Sequence, residues 1–199
     1  LACTTGVSDT NPVCALIKNA IHGIIAAKAD GIANPTVGIL NIAGAVQCEK
    51  ALRQLQHNGY PIQFATSLRA DGGSLLRGND LLAGTADVMV SDPLTGNLLT
   101  KLLSAYTTGG NYESQGWGYG PGIGKDYDKV ILIVSRASGA PVITNAIQYA
   151  VHLLQHQICQ IVQQEFAKAE AAGLSQILQN IRQKQSTKIT TEMPPKEPV

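Results

Sequence analysis

Between Thr85 and Lys101 the chain, TADVMVSDPLTGNLLTK, passes from a short apolar run through a polar turn directly into a helical pattern, and few architectures accommodate that order. Val88, Met89 and Val90 read as a strand covered on both faces. Ser91 to Asn97 breaks the run. Thr95 is a candidate N-cap, Gly96 permits close backbone approach, and Leu98, Leu99, Leu102 and Leu103 give the following helix its apolar face. Unpaired N–H groups at such a helix start, with Lys101 further along it, attract a phosphate or carboxylate. Every strand-turn-helix unit of an α/β protein looks alike in sequence, so this segment alone fixes a local structure rather than a ligand.

A second segment repeats the pattern. Val130 to Val134 is apolar, Ser135-Arg136-Ala137-Ser138-Gly139 follows, and Pro141 stands near the first turn of a long helical run. Two hydroxyls, a planar guanidinium and a glycine suit a tetrahedral oxyanion; an ordinary polar loop is the competing reading. Read from end to end, helices and strands alternate. Asn11-Pro12 opens a helix to about Ala29, Val37 to Ile42 is a strand, Val46 to His57 a helix closed by Asn58-Gly59, and Ile62 to Ala65 a strand. The glycine-rich stretch DGGSLLRGND (Asp71 to Asp80) leads to a short helix. It matches neither phosphate-loop nor dinucleotide fingerprints, and Arg77 within it is either an anion contact or a solvated loop side chain. Gly109 to Gly124 is long enough to act as a lid or interface element, and helices run from about Ala140 to Arg182 with a break at Gly173. The expectation is an α/β domain over residues 1–182, with a mainly parallel sheet and ligands at the strands' C-terminal ends. Residues 183–199 turn polar and proline-containing and are expected to form a disordered tail.

Composition narrows the function classes. The 199 residues are 44% apolar with net charge +1, enough for one sizeable core. Near-neutral charge, two Phe and one Trp argue against nucleic acid. No apolar run approaches the roughly 20 residues that span a bilayer, and no signal peptide is recognisable, so neither membrane nor export is expected. Cys3, Cys14, Cys48 and Cys159 are irregularly spaced without a CxxC pair, which reads as reduced thiols in cytoplasm. An opening Leu-Ala-Cys suggests a piece of a longer protein whose active site is completed elsewhere.

The pair ADVMVSDPLTGNLLTK (Ala86 to Lys101) and VILIVSRASGAP (Val130 to Pro141) resembles the paired signature of the phosphate acetyl- and butyryltransferases. NPTVGILNI (Asn34 to Ile42), RGNDLLAGTADVMVSD (Arg77 to Asp92) and TNAIQYA (Thr144 to Ala150) follow, in order, the phosphate acyltransferases that act on acyl carrier protein. Taken together, the chain resembles the C-terminal part of the component C alpha subunits of glycine/sarcosine/betaine reductase complexes. That resemblance implies a three-layer α/β/α fold of the isocitrate/isopropylmalate dehydrogenase-like superfamily and a homodimer. It also implies a component C beta subunit and selenoprotein A as partners. The implied chemistry is release of an enzyme-bound acetyl thioester to phosphate as acetyl phosphate, with phosphate as co-substrate and no bound cofactor or metal. Ser135 and Arg136, with Ser138 beside them, match the phosphate-contacting segment; Asp92, Thr95, Gly96 and Asn97 match the other turn. Ala43-Gly44 and Ser91-Asp92-Pro93 depart from the carrier-protein enzymes, which makes lipid synthesis the second reading and a non-catalytic dimerising subunit a third.

The implied chemistry needs a thiolate. Cys159 follows His152 and His156 at helical spacing, so an imidazole on the same face is expected to activate it, whereas Ile158, Ile161 and Val162 fit an inert buried thiol equally. Cys48, shortly after the strand ending at Ile42, is the other candidate nucleophile. The same His pair and Cys159 offer three zinc ligands, but no fourth is visible and packing histidines are the simpler reading. A dehydrogenase role lacks its dinucleotide fingerprint.

Overall fold

The computed structural model describes residues 1–3 and 9–192, with side chains as far as Lys184. Its centre is α1 (Pro12–Ala29), which begins where the Asn11 side chain accepts from the N–H groups of Val13 (3.0 Å) and Cys14 (3.1 Å). Apolar residues lie all round this helix, and it packs on four other elements, which is why it is internal. Next come β1 (Thr36–Leu40), α2 (Ala45–His57), β2 (Gln63–Phe64), β3 (Leu75–Leu76), α3 (Gly78–Ala83) and β4 (Val88–Val90).

These four strands make one parallel sheet with β1 at its centre. Along one edge β2 pairs with the start of β1 (Thr36 with Gln63) and β3 with its end (Leu40 with Leu76); β4 lies along the other (Val37 with Val88, Ile39 with Val90). Ala2 adds a single rung outside β4, donating to Met89 O (2.7 Å) and accepting from Ser91 N (3.1 Å). Three successive residues are buried in both β1 and β4, so both faces of the sheet are covered. Gly38 is required here, because a Cβ would collide with Leu76 of the neighbouring strand. Ile17, Ile21, Leu52, Leu55, Val37 and Ile39 form the middle of the core, each aliphatic side chain contributing about 1.5–3 kcal/mol by leaving water. One charge is buried among them: Glu165 takes Lys28 and Lys168 at 2.8 Å each and the Tyr60 hydroxyl at 3.1 Å, tying α1 to the C-terminal helices.

Two expectations need correction. Val130–Val134 does not join the parallel sheet. It falls in β6 (Tyr127–Ile133) and the one residue after it, and β6 pairs antiparallel with β5 (Tyr119–Gly124) as a separate hairpin. An apolar run does not declare its partner, and the partner lay inside the glycine-rich segment expected to be a loop. The helical run after Ala140 is also broken earlier than Gly173: α5 (Ala140–Gln155) ends at His156, and α6 (Ile158–Ala171) starts after Gln157, whose φ of 56° is left-handed. Gly173 (φ 89°) separates α6 from α7 (Leu174–Glu192), which continues ten residues past Arg182. Residues 183–192 of the expected tail are thus helical, and 193–199 lie outside the described residues.

Among the described residues, two helices carry exposed apolar stripes. On α4 (Pro93–Thr108) Leu94, Leu98, Leu102 and Tyr106 are 58–90% exposed; on α5 Ile143, Ile147, Val151 and Leu154 are 43–63% exposed. Both repeat at helical spacing. Among the described residues no helix is long and apolar enough to cross a membrane.

A candidate anion site where two strand ends meet

Asp92 caps α4 with its own carboxylate. Its oxygens accept from Thr95 N (3.0 Å) and the Thr95 hydroxyl (2.5 Å), and Gly96 N bonds to Asp92 O (3.2 Å). Burial works to raise the Asp92 carboxyl, but the two Thr95 bonds outweigh it and hold it below the usual range. The first donors of α4 are therefore spent within the turn, contrary to the expectation that they wait for phosphate. Gly96 is needed for another reason: a Cβ there would strike the Cys3 thiol.

One turn further along, α4 reaches the second segment. Lys101 pairs with the Glu113 carboxylate and lies 3.1 Å from the Tyr119 hydroxyl; that hydroxyl donates to Glu113 Oε1 (2.8 Å) and lies 3.3 Å from Asn97 Oδ1. The other carboxylate oxygen accepts the hydroxyls of Ser135 (2.6 Å) and Ser138 (2.9 Å). Glu113, 6% exposed at its side chain, thus joins Asn97 and Lys101 from one strand-turn-helix junction to Ser135 and Ser138 from the other. Burial alone would raise its carboxyl; Lys101, Ser135, Tyr119 and Ser138 reverse this and bring it to about 2. Arg136 follows Ser135 in the chain and is exposed, its side chain without an ion pair or hydrogen bond among the described residues.

Tyr119 also borders a crevice of about 360 Å³ between α1, α4 and the hairpin, lined among others by Cys3, Asn19, His22, Thr100 and Ile131. Its polar members are neutral. Asn19 donates to Ser91 O (3.2 Å) while its Oδ1 has no partner among the described residues, and burial, then Lys18, lower His22 to about 4.

The remaining expected residues lie elsewhere. Arg77 is exposed at the N-cap of α3, where its N–H bonds to Asp80 (2.7 Å). Cys48 is fully buried in α2, and burial, then Glu49, push its thiol up to about 12, so it is corrected from nucleophile to core residue. Cys159 is half-buried in the first turn of α6, at the positive end of that helix, its thiol 3.4 Å from Asp128 O. His156 does not share its helix face: it stacks on His152 (4.1 Å), which approaches Asp30 (3.3 Å). Asp128 and Ser135 stand at opposite ends of β6, so Cys159 is separated from the anion cluster by roughly 20 Å of strand.

Sequence reasoning passed over Glu113 and Tyr119. The available signal was that Glu113 is the only carboxylate between Asp92 and Asp126.

The family described as fatty acid synthesis protein matches residues 1–199. The chain belongs to that family. Within the curated proteins, glycine/sarcosine/betaine reductase complex component C subunit alpha of Peptoclostridium acidaminophilum is 57% identical over 202 residues, covering 100% of this chain and 52% of that protein. Phosphate acyltransferases of Aquifex aeolicus (41% identical over 71 residues, 36% of this chain and 20% of the relative) and Phenylobacterium zucineum (32% over 80 residues, 38% and 21%) are also similar. The chain thus spans about half the length of the first relative and about a fifth of the other two. No solved structure matches.

Proposed function

We propose that this chain contributes the phosphate site of an acyl transfer to phosphate, acting as part of a component C alpha subunit in a glycine/sarcosine/betaine reductase complex. The observation that carries this reading is the convergence of Asn97, Lys101, Ser135 and Ser138, drawn from two distant junctions, on one hydrogen-bonded cluster, with Arg136 next to Ser135 in the chain and exposed. Phosphate is held by Arg136 and the hydroxyls of Ser135 and Ser138, and the neutral crevice beside Tyr119 takes the acyl side. Cys159 carries the acetyl group as a thioester. A phosphate oxygen attacks its carbonyl carbon, the C–O bond forms as the C–S bond breaks, and the thiolate leaves with the electron pair, giving acetyl phosphate. Because β6 separates Cys159 from Ser135 within one chain, the reading requires a second chain or a movement of the hairpin to bring the thioester to phosphate.

By the same reading the chain is an α/β domain of the isocitrate/isopropylmalate dehydrogenase-like superfamily, works in cytoplasm with reduced thiols, and uses phosphate as co-substrate with no bound cofactor. Its partners are the component C beta subunit, selenoprotein A and a second copy of itself; the apolar stripes of α4 and α5 support the last.

The test is phosphate-dependent turnover of acetyl phosphate, measured on wild type, Arg136→Ala and Cys159→Ser. Arg136→Ala should raise KM for phosphate at least tenfold with an unchanged melting temperature, since the side chain is exposed and unpaired. Cys159→Ser should abolish turnover and the hydroxylamine-labile acetyl adduct. An unaltered KM in the first variant sinks the phosphate assignment, and turnover persisting in the second sinks the thioester.

A further inference from the structure

A hydroxyl has one proton to give, and in the cluster both serine protons go to Glu113. Their oxygens are occupied too: Ser135 Oγ accepts from Ala137 N (3.1 Å) and Ser138 Oγ from Ser135 N (2.9 Å). Lys101 has its charge neutralised by the same carboxylate, and Tyr119 donates to it. With Glu113 in place, the three hydroxyl protons are all spent on it, and Lys101 keeps one of its three N–H donors beyond those directed at Glu113 and Tyr119. Yet the cluster has the composition of an oxyanion pocket: one ammonium and three hydroxyls converge on the two oxygens of a single carboxylate. The carboxylate enters on a short segment held by Glu113 N to Ala137 O (2.7 Å) and Gly139 N to Glu113 O (2.9 Å), with Ser114 N donating to Ser104 Oγ (3.2 Å) and the Thr108 hydroxyl to Tyr112 O (3.1 Å) beside it. That segment lies between Gly109-Gly110 and Gly116, all at positive φ, where the backbone has the freedom to swing.

We propose that Glu113 is the resident ligand of an oxyanion pocket built by Lys101, Tyr119, Ser135 and Ser138, and that phosphate or an acyl phosphate enters by displacing it. Lys101 and Tyr119 thereby become ligand contacts, and the Glu113 segment a strap that leaves when substrate arrives. The inference rests on reading this junction as the phosphate site. It makes phosphate binding a competition between two anions for one set of donors, so the intrinsic affinity of the pocket is masked in the free protein.

The experiment titrates inorganic phosphate into wild type and Glu113→Gln by calorimetry, and follows backbone hydrogen exchange of residues 112–119 and 137–139 in wild type. Glu113→Gln should bind phosphate at least tenfold more tightly, because the competing charge is gone, and phosphate should release the exchange protection of the Glu113 and Gly139 amides in wild type. Binding to wild type with those amides still protected, or a folded Glu113→Gln protein that binds no tighter, overturns the proposal while leaving the phosphate site intact. Binding to neither protein overturns both. If Glu113→Gln does not fold, the wild-type exchange result decides alone.

Discussion

At Glu113 a single carboxylate is asked to satisfy four donors inside the protein, and that sets how the fold responds to acid. The folded-state carboxyl lies near 2 against an ordinary 4.5. A depressed carboxyl contributes stability that is complete above its unfolded value and is lost as pH falls through the folded one, so the loss here runs from about pH 4.5 down towards 2. A difference of that size corresponds to about 3 kcal/mol for the group at full loss, of which about 2 kcal/mol is gone by pH 3. Urea unfolding at pH 6 and pH 3 should therefore show wild type losing more stability on acidification than Glu113→Gln does, by roughly that amount. Equal losses in the two proteins would show that Glu113 is ionised as readily in the unfolded chain. Residues of this kind are hard to find in advance. Asp92, Ser135 and Arg136 were legible because their segments carry a strand, a turn and a helix start in the right order; Glu113 sits in a glycine-rich segment with no periodicity, and only its isolation from other acids sets it apart.

Among the elements, those whose own residues dictate them were legible, and those that depend on a distant partner were not. Asn11-Pro12 announces α1 by capping chemistry, and Val88–Val90 announces β4 by its unbroken apolar run. β5 is invisible because YGPGIG has no strand propensity; it exists because its glycines let the backbone lie against β6, where a Cβ on Gly120 would meet the Ile131 carbonyl. The break between α5 and α6 was hidden for a different reason. Gln157 takes a left-handed conformation with no glycine to mark it, at a cost on the order of 1 kcal/mol, and so sets the start of the helix that carries Cys159. Gln157→Gly should recover part of that cost, raising the melting temperature by about 1–3 °C, whereas Gln157→Ala should not. Thermal denaturation of the two variants side by side checks it; a glycine variant no more stable than the alanine one would mean the turn is not strained.

For the whole molecule, the sequence placed the two junctions in one α/β unit but not the distance between the anion cluster and Cys159, because that distance is set by the hairpin, whose pairing was hidden. The same limit applies to the surface. Leu98, Leu102 and Leu103 read as part of the apolar face of α4, yet they are exposed, as are Leu94 and Tyr106 on the same helix and Ile143, Ile147, Val151 and Leu154 on α5. Taking about 100 Å² for an aliphatic side chain and about 200 Å² for tyrosine, these exposures amount to roughly 600 Å² of apolar surface. A standard interface needs about 800 Å² per partner, a little over half of it apolar, an area comparable to what the two stripes expose between them. The two helices carry one full charge between them, Lys101, and it is spent on Glu113. An isologous contact sets each patch against its own copy, and a patch with no free charge meets no like-charge repulsion there. Sedimentation velocity at micromolar concentration should therefore show a dimer for wild type. Leu98→Asp combined with Leu102→Asp should shift it to monomer without altering the circular dichroism spectrum, since both side chains are more than half exposed and their loss leaves no cavity. A double variant that remains dimeric would move the interface off α4, and a wild-type protein that is monomeric at that concentration would rule out a self-association role for the stripes.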